Sequence, residues 1–157
     1  MQMLARLTLL AIAILIPNAA RAGQLDCAQF TNSVVATFPG TTTTSSTTPV
    51  NVTEASIAAV FSNETCVLVE VSGHAKAPSP GGLRLRLRIV TSDDTEPPTP
   101  ISYTLTTAGV RPDGRTVVFA FPILQCDCTI RLQVQSLNGS EVSFGQGVMR
   151  VYYNNEV

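Results

Sequence analysis

The chain has 157 residues, 45% of them apolar and only 13% charged, with a formal net charge of −1. That length suits one ordinary domain, and the weak charge excludes a nucleic-acid binder that works by displacing phosphate counterions. One His, one Lys and no Trp leave most histidine-based catalytic and metal constellations impossible to assemble.

Residues 1–22 read MQMLARLTLLAIAILIPNAARA. Arg6 precedes an apolar run from Leu7 to Ile16, Pro17-Asn18 breaks the run, and Ala20-Arg21-Ala22 forms an A-x-A end before Gly23. This pattern predicts a secretory signal peptide cleaved after Ala22. The apolar run is too short to span the ~30 Å of hydrocarbon in a bilayer. Lipidation at Cys27 is set aside, because Asp26 stands where a lipidation site needs a small residue. Cleavage removes Arg6 and Arg21, so eight basic residues then face eleven acidic ones, a net charge of −3. The expected location is secreted or periplasmic, with no membrane insertion after cleavage, and the short basic start suits bacterial export.

Residues 23–49 read as an N-terminal segment and 50–157 as the main domain. FTNSVVATF, residues 30–38, predicts a first strand. Thr41–Thr48 reads TTTTSSTT between Pro39-Gly40 and Pro49, which predicts a flexible low-complexity loop with nothing to give a core. SIAAVF at 56–61 is a short apolar strand. CVLVEVS at 66–72 puts Val67, Val69 and Val71 on one face and Cys66, Leu68 and Glu70 on the other. After the turn-rich AKAPSPGG, residues 83–90 alternate Leu83, Leu85, Leu87, Ile89 with Arg84, Arg86, Arg88. That strict period of two predicts a strand buried on one face and wet on the other. SDDTEPPTP is an acidic, proline-bound loop, ISYTLTT at 101–107 alternates again, VRPDG is a turn, and TVVFAF at 116–121 is a strand. Residues 128–134 alternate Cys128, Ile130, Leu132, Val134 with Thr129, Arg131, Gln133. Asn138-Gly139 predicts a hairpin before EVSF at 141–144 and a last strand at 147–153.

About eight short strands without a helix predict an all-β fold, a two-sheet antiparallel β-sandwich. A jelly roll is preferred over an immunoglobulin-like sandwich, whose buried Trp this chain lacks. Four cysteines, Cys27, Cys66, Cys126 and Cys128, predict two disulfides in an oxidising compartment. Cys126 and Cys128 project to one face, and a bond between them closes a very small ring. The expected pairing therefore joins each of them to a different partner, Cys27 or Cys66.

The runs CVLVEVSGHAKAP, LRLRLRI, VVFAFPIL and CTIRLQVQSLNGSEVSFGQGVMRV resemble small exported bacterial β-sandwich proteins of uncharacterised function. The same strand grammar is similar to tumour-necrosis-factor-like jelly rolls and to phage and spore-surface trimers. The resemblance spans residues 56–153. It departs where Val134 and Gln135 replace an aromatic-basic pair and where Glu70-Val71 replaces an aromatic. It brings no catalytic residues, and it implies a non-enzymatic fold and a homotrimer.

The row Arg84, Arg86, Arg88 is the candidate ligand-binding feature, since guanidinium groups suit anionic sugars and phosphates. The competing reading is a solvated face paired with acids such as Glu70 on a neighbouring strand. His74 serves no hydrolase here, because no G-x-S-x-G elbow exists. A carbohydrate-active or hydrolytic site would need two facing acids from Glu64, Glu70, Glu141 and the Asp93, Asp94, Glu96 loop, which is also a weak calcium candidate. A periplasmic copper-handling site would use Cys126, Cys128 and His74. Asn51, Asn63 and Asn138 head glycosylation-like triplets that are coincidental in a bacterial protein. The expectation is an exported, non-catalytic binding or self-assembling sandwich without cofactor or metal, its partner an unknown protein or an anionic glycan and not nucleic acid.

Overall fold

The computed structural model describes residues 30–77, 82–91, 101–105 and 113–154. The signal-peptide segment 1–22, Cys27, the connections at 78–81 and 92–100 with Asp93, Asp94 and Glu96, and most of the VRPDG turn lie outside them. Among the described residues there are eight strands and no helix: β1 (Asn32–Thr44), β2 (Val50–Phe61), β3 (Thr65–Lys76), β4 (Leu83–Thr91), β5 (Ile101–Leu105), β6 (Asp113–Ile123), β7 (Cys126–Ser136) and β8 (Val142–Tyr153).

Two four-stranded sheets result, one in the order β1-β8-β3-β6 (sheet A) and the other β2-β7-β4-β5 (sheet B). All pairings are antiparallel. First pairs with last, second with seventh, third with sixth, and fourth with fifth, as in one long hairpin. Rolling that hairpin adds the β3–β8 and β4–β7 ladders. This is the jelly roll, and it decides between the two sandwiches: only β4 and β5 are both consecutive and paired.

The core lies between the sheets. Sheet A contributes Phe38, Val67, Val69, Val71, Phe119, Phe144, Met149 and Val151, and sheet B contributes Ile57, Phe61, Leu83, Leu85, Leu87, Ile130, Leu132 and Val134. Phe38 and Phe144 approach to 6.1 Å between ring centroids, and Phe61 meets Tyr153 edge-on at 5.2 Å. Tyr152, one residue away, points to the outer face and donates from its hydroxyl to Glu70 Oε2 at 3.4 Å.

Four expectations need correction. Thr41–Thr44 is not loop: it is the second half of β1, paired with Val142–Gly145, and β1 belongs to sheet A, so the sandwich starts before Val50. Thr42 Oγ1 accepts a hydrogen bond from Thr53 N at 2.9 Å, so hydroxyls stitch the strand where apolar side chains are missing. The turn that follows is tied down as well, with Ser136 N donating to Ser46 O at 2.8 Å. Asn138-Gly139 is a turn, with Gly139 at φ 80°, but it carries the chain from sheet B to sheet A and makes no hairpin. The runs 141–144 and 147–153 are one strand, β8, bulged at Gln146 (φ 50°). The bulge moves the inward set from Val142 and Phe144 to Met149 and Val151, which hides the continuity.

The fourth correction is the disulfide pairing. Cys126 is bonded to Cys128, with Cα atoms 5.5 Å apart, a normal disulfide separation. Cys128 points into the core from sheet B. Cys66 alternates with core-facing Val67 and so points out of sheet A, away from both. It is disulfide-bonded too, to a partner outside the described residues, and no described cysteine is free.

Candidate functional site

β4 is an interior strand of sheet B, between β7 and β5. Its period of two places Leu83, Leu85, Leu87 and Ile89 in the core at 0–4% exposure. Arg84, Arg86 and Arg88 therefore stand on the outer face, each half-buried. Their Cα atoms repeat every ~6.6 Å along the strand. The register across to β7 sets Arg84 opposite Gln135, Arg86 opposite Gln133 and Arg88 opposite Arg131. A fourth guanidinium thus joins the row, with side chains starting ~4.5–5.5 Å apart across the ladder.

The neutral members of the face are held in place. Gln133 is only 6% exposed and donates from Nε2 to Asn51 Oδ1 at 2.9 Å. Gln135 Nε2 donates to Thr47 O at 3.3 Å, and Arg84 Nε donates to Thr104 Oγ1 at 3.4 Å on β5. The Nε atoms of Arg86 and Arg88 are shielded from solvent, and both side chains are engaged in contacts. Glu70, expected as a partner of this row, lies on β3 of sheet A and cannot reach it. Arg88 and Arg131 stand directly opposite each other across the ladder, a placement in which like charges repel, and Arg88 is engaged in a contact of its own.

Arg131 was visible in the sequence as a polar position of an alternating strand. Its place beside Arg88 was not, because β4 and β7 are separated by three connections and the register is set by packing.

Among the described residues, the other candidates are not brought together. Glu64 lies in the β2–β3 turn and Glu141 in the β7–β8 turn, at opposite ends of sheet A, while Glu70 is mid-strand and bonded to Tyr152. His74 is exposed near the far end of β3 from Cys66, ~26 Å along the strand at 3.3 Å per residue. Cys126 and Cys128 are on sheet B and consumed in their own bond, so the copper reading loses its ligands. No group of three or more potential metal ligands occurs among the described residues. His74 does line an open depression of about 310 Å³ with Ser72, Arg115, Thr116 and Gln146, where the β8 bulge crosses β3. Ser72 and Thr116 hydroxyls are bonded to each other there at 3.0 Å.

No family model matches the chain. No curated protein matches it either. Among solved structures, a mutant VP2 protein of infectious bursal disease virus in derived T=1 particles is similar over 80% of this chain and 33% of its own, with 14% identity and a TM-score of 0.48. Dimeric latent PorU from Porphyromonas gingivalis is similar over 82% of this chain and 14% of its own, with 10% identity and a TM-score of 0.41. The globular domain of zebrafish complement 1qA protein is similar over 76% of this chain and 94% of its own, with 10% identity and a TM-score of 0.38. The chain spans about a third of the VP2 length it matches. The strand order itself identifies the jelly roll.

Proposed function

We propose that this protein is an exported, non-catalytic jelly roll that binds an anionic ligand on the outer face of sheet B. The observation that carries the reading is the row Arg84, Arg86, Arg88 completed by Arg131 across the ladder. A rigid central strand holds three of the four groups, and half-buried Gln135 adds an amide beside them, while buried Gln133 is spent on Asn51. The spacing suits a ligand with repeated carboxylates or sulfates, such as an acidic glycan, because guanidinium engages such groups with two parallel donors. Few aromatic side chains are available for stacking on sugar rings, so charge and hydrogen bonds have to supply the affinity.

Titration with an acidic polysaccharide at rising salt tests this. Binding is expected to weaken with added salt as the Debye length falls from ~10 Å at 0.1 M to ~3 Å at 1 M. The triple variant Arg84→Gln, Arg88→Gln, Arg131→Gln is expected to fold and to bind about tenfold weaker or worse, since three contacts at even ~0.5 kcal/mol each amount to one decade. Unchanged binding by a folded triple variant would return the row to a solvated face.

Self-assembly is the second reading, and one observation favours it. Val35 and Val118, each about half exposed (52% and 53%), lie in one row across the outer face of sheet A, flanking Arg150 and Glu70. Native mass spectrometry is expected to give more than one chain per particle, and Val35→Asp with Val118→Asp to give one. A monomeric wild-type protein sinks it.

A further inference from the structure

We propose that two copies of this chain pair face to face through the outer face of sheet A, about a two-fold axis running along the strands between β8 and β3. The pairing rests on the self-assembly reading above and fixes its partner and its geometry. One row crosses the whole sheet on that face: Val35 on β1, Arg150 on β8, Glu70 on β3 and Val118 on β6. Both valines are about half exposed, Arg150 is exposed and Glu70 is half-buried. The order is apolar, cation, anion, apolar. Turned over about an axis between its two charged members, the row meets its own complement. Arg150 then faces the partner's Glu70, Glu70 faces the partner's Arg150, and each valine faces a valine.

Strands stand ~4.8 Å apart within a sheet and packed sheets ~10 Å apart. The four charged groups then form a square, each with an opposite charge beside it in its own sheet and another across the interface. Tyr152 steadies the anion, donating from its hydroxyl to Glu70 Oε2 at 3.4 Å. Taking charges out of water costs much of what their pairing gains, so the charges select the arrangement and the apolar members supply the attraction. The other axis in the plane of the face runs along the row. It would stack Arg150 on the partner's Arg150 and Glu70 on the partner's Glu70, and like charges set against each other suppress such a complex.

The next row fits the first axis as well. Thr37, Val148, Ser72 and Thr116 carry no charge and follow one another across the same four strands. The rotation sets Thr37 against the partner's Thr116 and Val148 against the partner's Ser72. An axis parallel to the strands also keeps the two sets of strands nearly aligned, the arrangement in which twisted sheets pack within about 30° of each other. Sheet B lies on the other side of the sandwich, so the dimer turns its two sheet B outer faces away from the interface, on opposite sides. A ligand with repeated anionic groups then meets a bivalent particle.

Sedimentation of the exported full-length protein tests the pairing. The wild-type protein is expected to run as a dimer. Arg150→Glu alone and Glu70→Arg alone each set like charges across both contacts, and each is expected to weaken self-association at least ~100-fold. Mixed one to one, the two variants are expected to form a dimer, because one chain then carries two anions and the other two cations. That rescue also shows that both variants are folded. Arg150→Gln, a milder change at an exposed position, is expected to weaken the dimer about tenfold. A monomeric wild-type protein overturns the pairing and the self-assembly reading together. A wild-type trimer leaves self-assembly standing and overturns the pairing. So does a wild-type dimer that keeps its affinity in Arg150→Gln, or one whose reversal variants fail to pair when mixed.

Discussion

Gly147→Ala is expected to destabilise the fold by ~3 kcal/mol or more, above the usual ~1–3 kcal/mol for an overpacked site. A Cβ at this position would fall on the carbonyl oxygen of Ser72, a backbone atom of β3, and within 2.6 Å of Phe38 Cζ. Phe38 is fully buried and packed on Phe144, so its ring cannot retreat without opening the core. Ser72 is held in the ladders to β6 and β8, so its carbonyl cannot retreat either. Gly145 is the same case on the other side of the bulge, with Gly40 and Thr41 backbone of β1 in the way. Together the two glycines let β8 kink at Gln146 while it stays paired to strands on both sides. Domains of this kind have ~5–15 kcal/mol in total, so one such change consumes a large share. Gly114→Ala is the matched control. It lies in β6, where an added Cβ meets nothing within 4 Å, and should leave stability within ~0.5 kcal/mol. Denaturant midpoints at an unchanged slope distinguish the two. Equal, small effects would show that the bulge yields and that the strands do not clamp it.

The same bulge explains part of what the sequence could and could not reveal. The Leu/Arg alternation of β4 was legible because the strand is regular and interior, so period two survives along its whole length. β8 reads as two pieces because the inward set changes parity across Gly145–Gly147. β2 does the same thing: Val52 and Ala55 are both buried across Glu54, which sits at φ 64°. Thr41–Thr44 carries no apolar residue, so apolar content alone marks it as linker. Threonine favours extended backbone, and an edge strand needs ladder bonds more than buried side chains.

Pairing partners were the least legible part, because a jelly roll joins the ends of the chain first. Asn138-Gly139 announces a turn correctly, yet a local signal cannot say that the two flanking strands belong to different sheets. The cysteine pairing departs from expectation for a local reason. The same-face projection of Cys126 and Cys128 is right, and it is the small ring size that misleads, since their Cα atoms stand 5.5 Å apart, within the ordinary disulfide range. Arg131 joined the candidate site through the β4–β7 register, which is non-local.

Leu85→Ala is expected to cost ~3–5 kcal/mol, the upper range for a fully buried leucine. Leu85 is 0% exposed in the middle of β4 and lies in register with Val134 on β7 and Tyr103 on β5. Both neighbours sit in ladders that fix the backbone, and sheet A packs its own inward row against it. The site therefore cannot collapse around the lost atoms, and the residual cavity adds to the transfer term. Arg84→Ala, one residue away, should cost at most ~1 kcal/mol, because it loses only an exposed contact to Thr104. Arg86→Ala and Arg88→Ala should fall between these limits. Their Nε atoms are shielded, so their aliphatic stems cover part of the sheet and truncation uncovers it. Chemical unfolding of the four variants gives the order Leu85, then Arg86 and Arg88, then Arg84. An Arg84→Ala loss as large as that of Leu85→Ala would mean that β4 is buried on both faces. The anion-binding face proposed on sheet B would then have no surface to occupy.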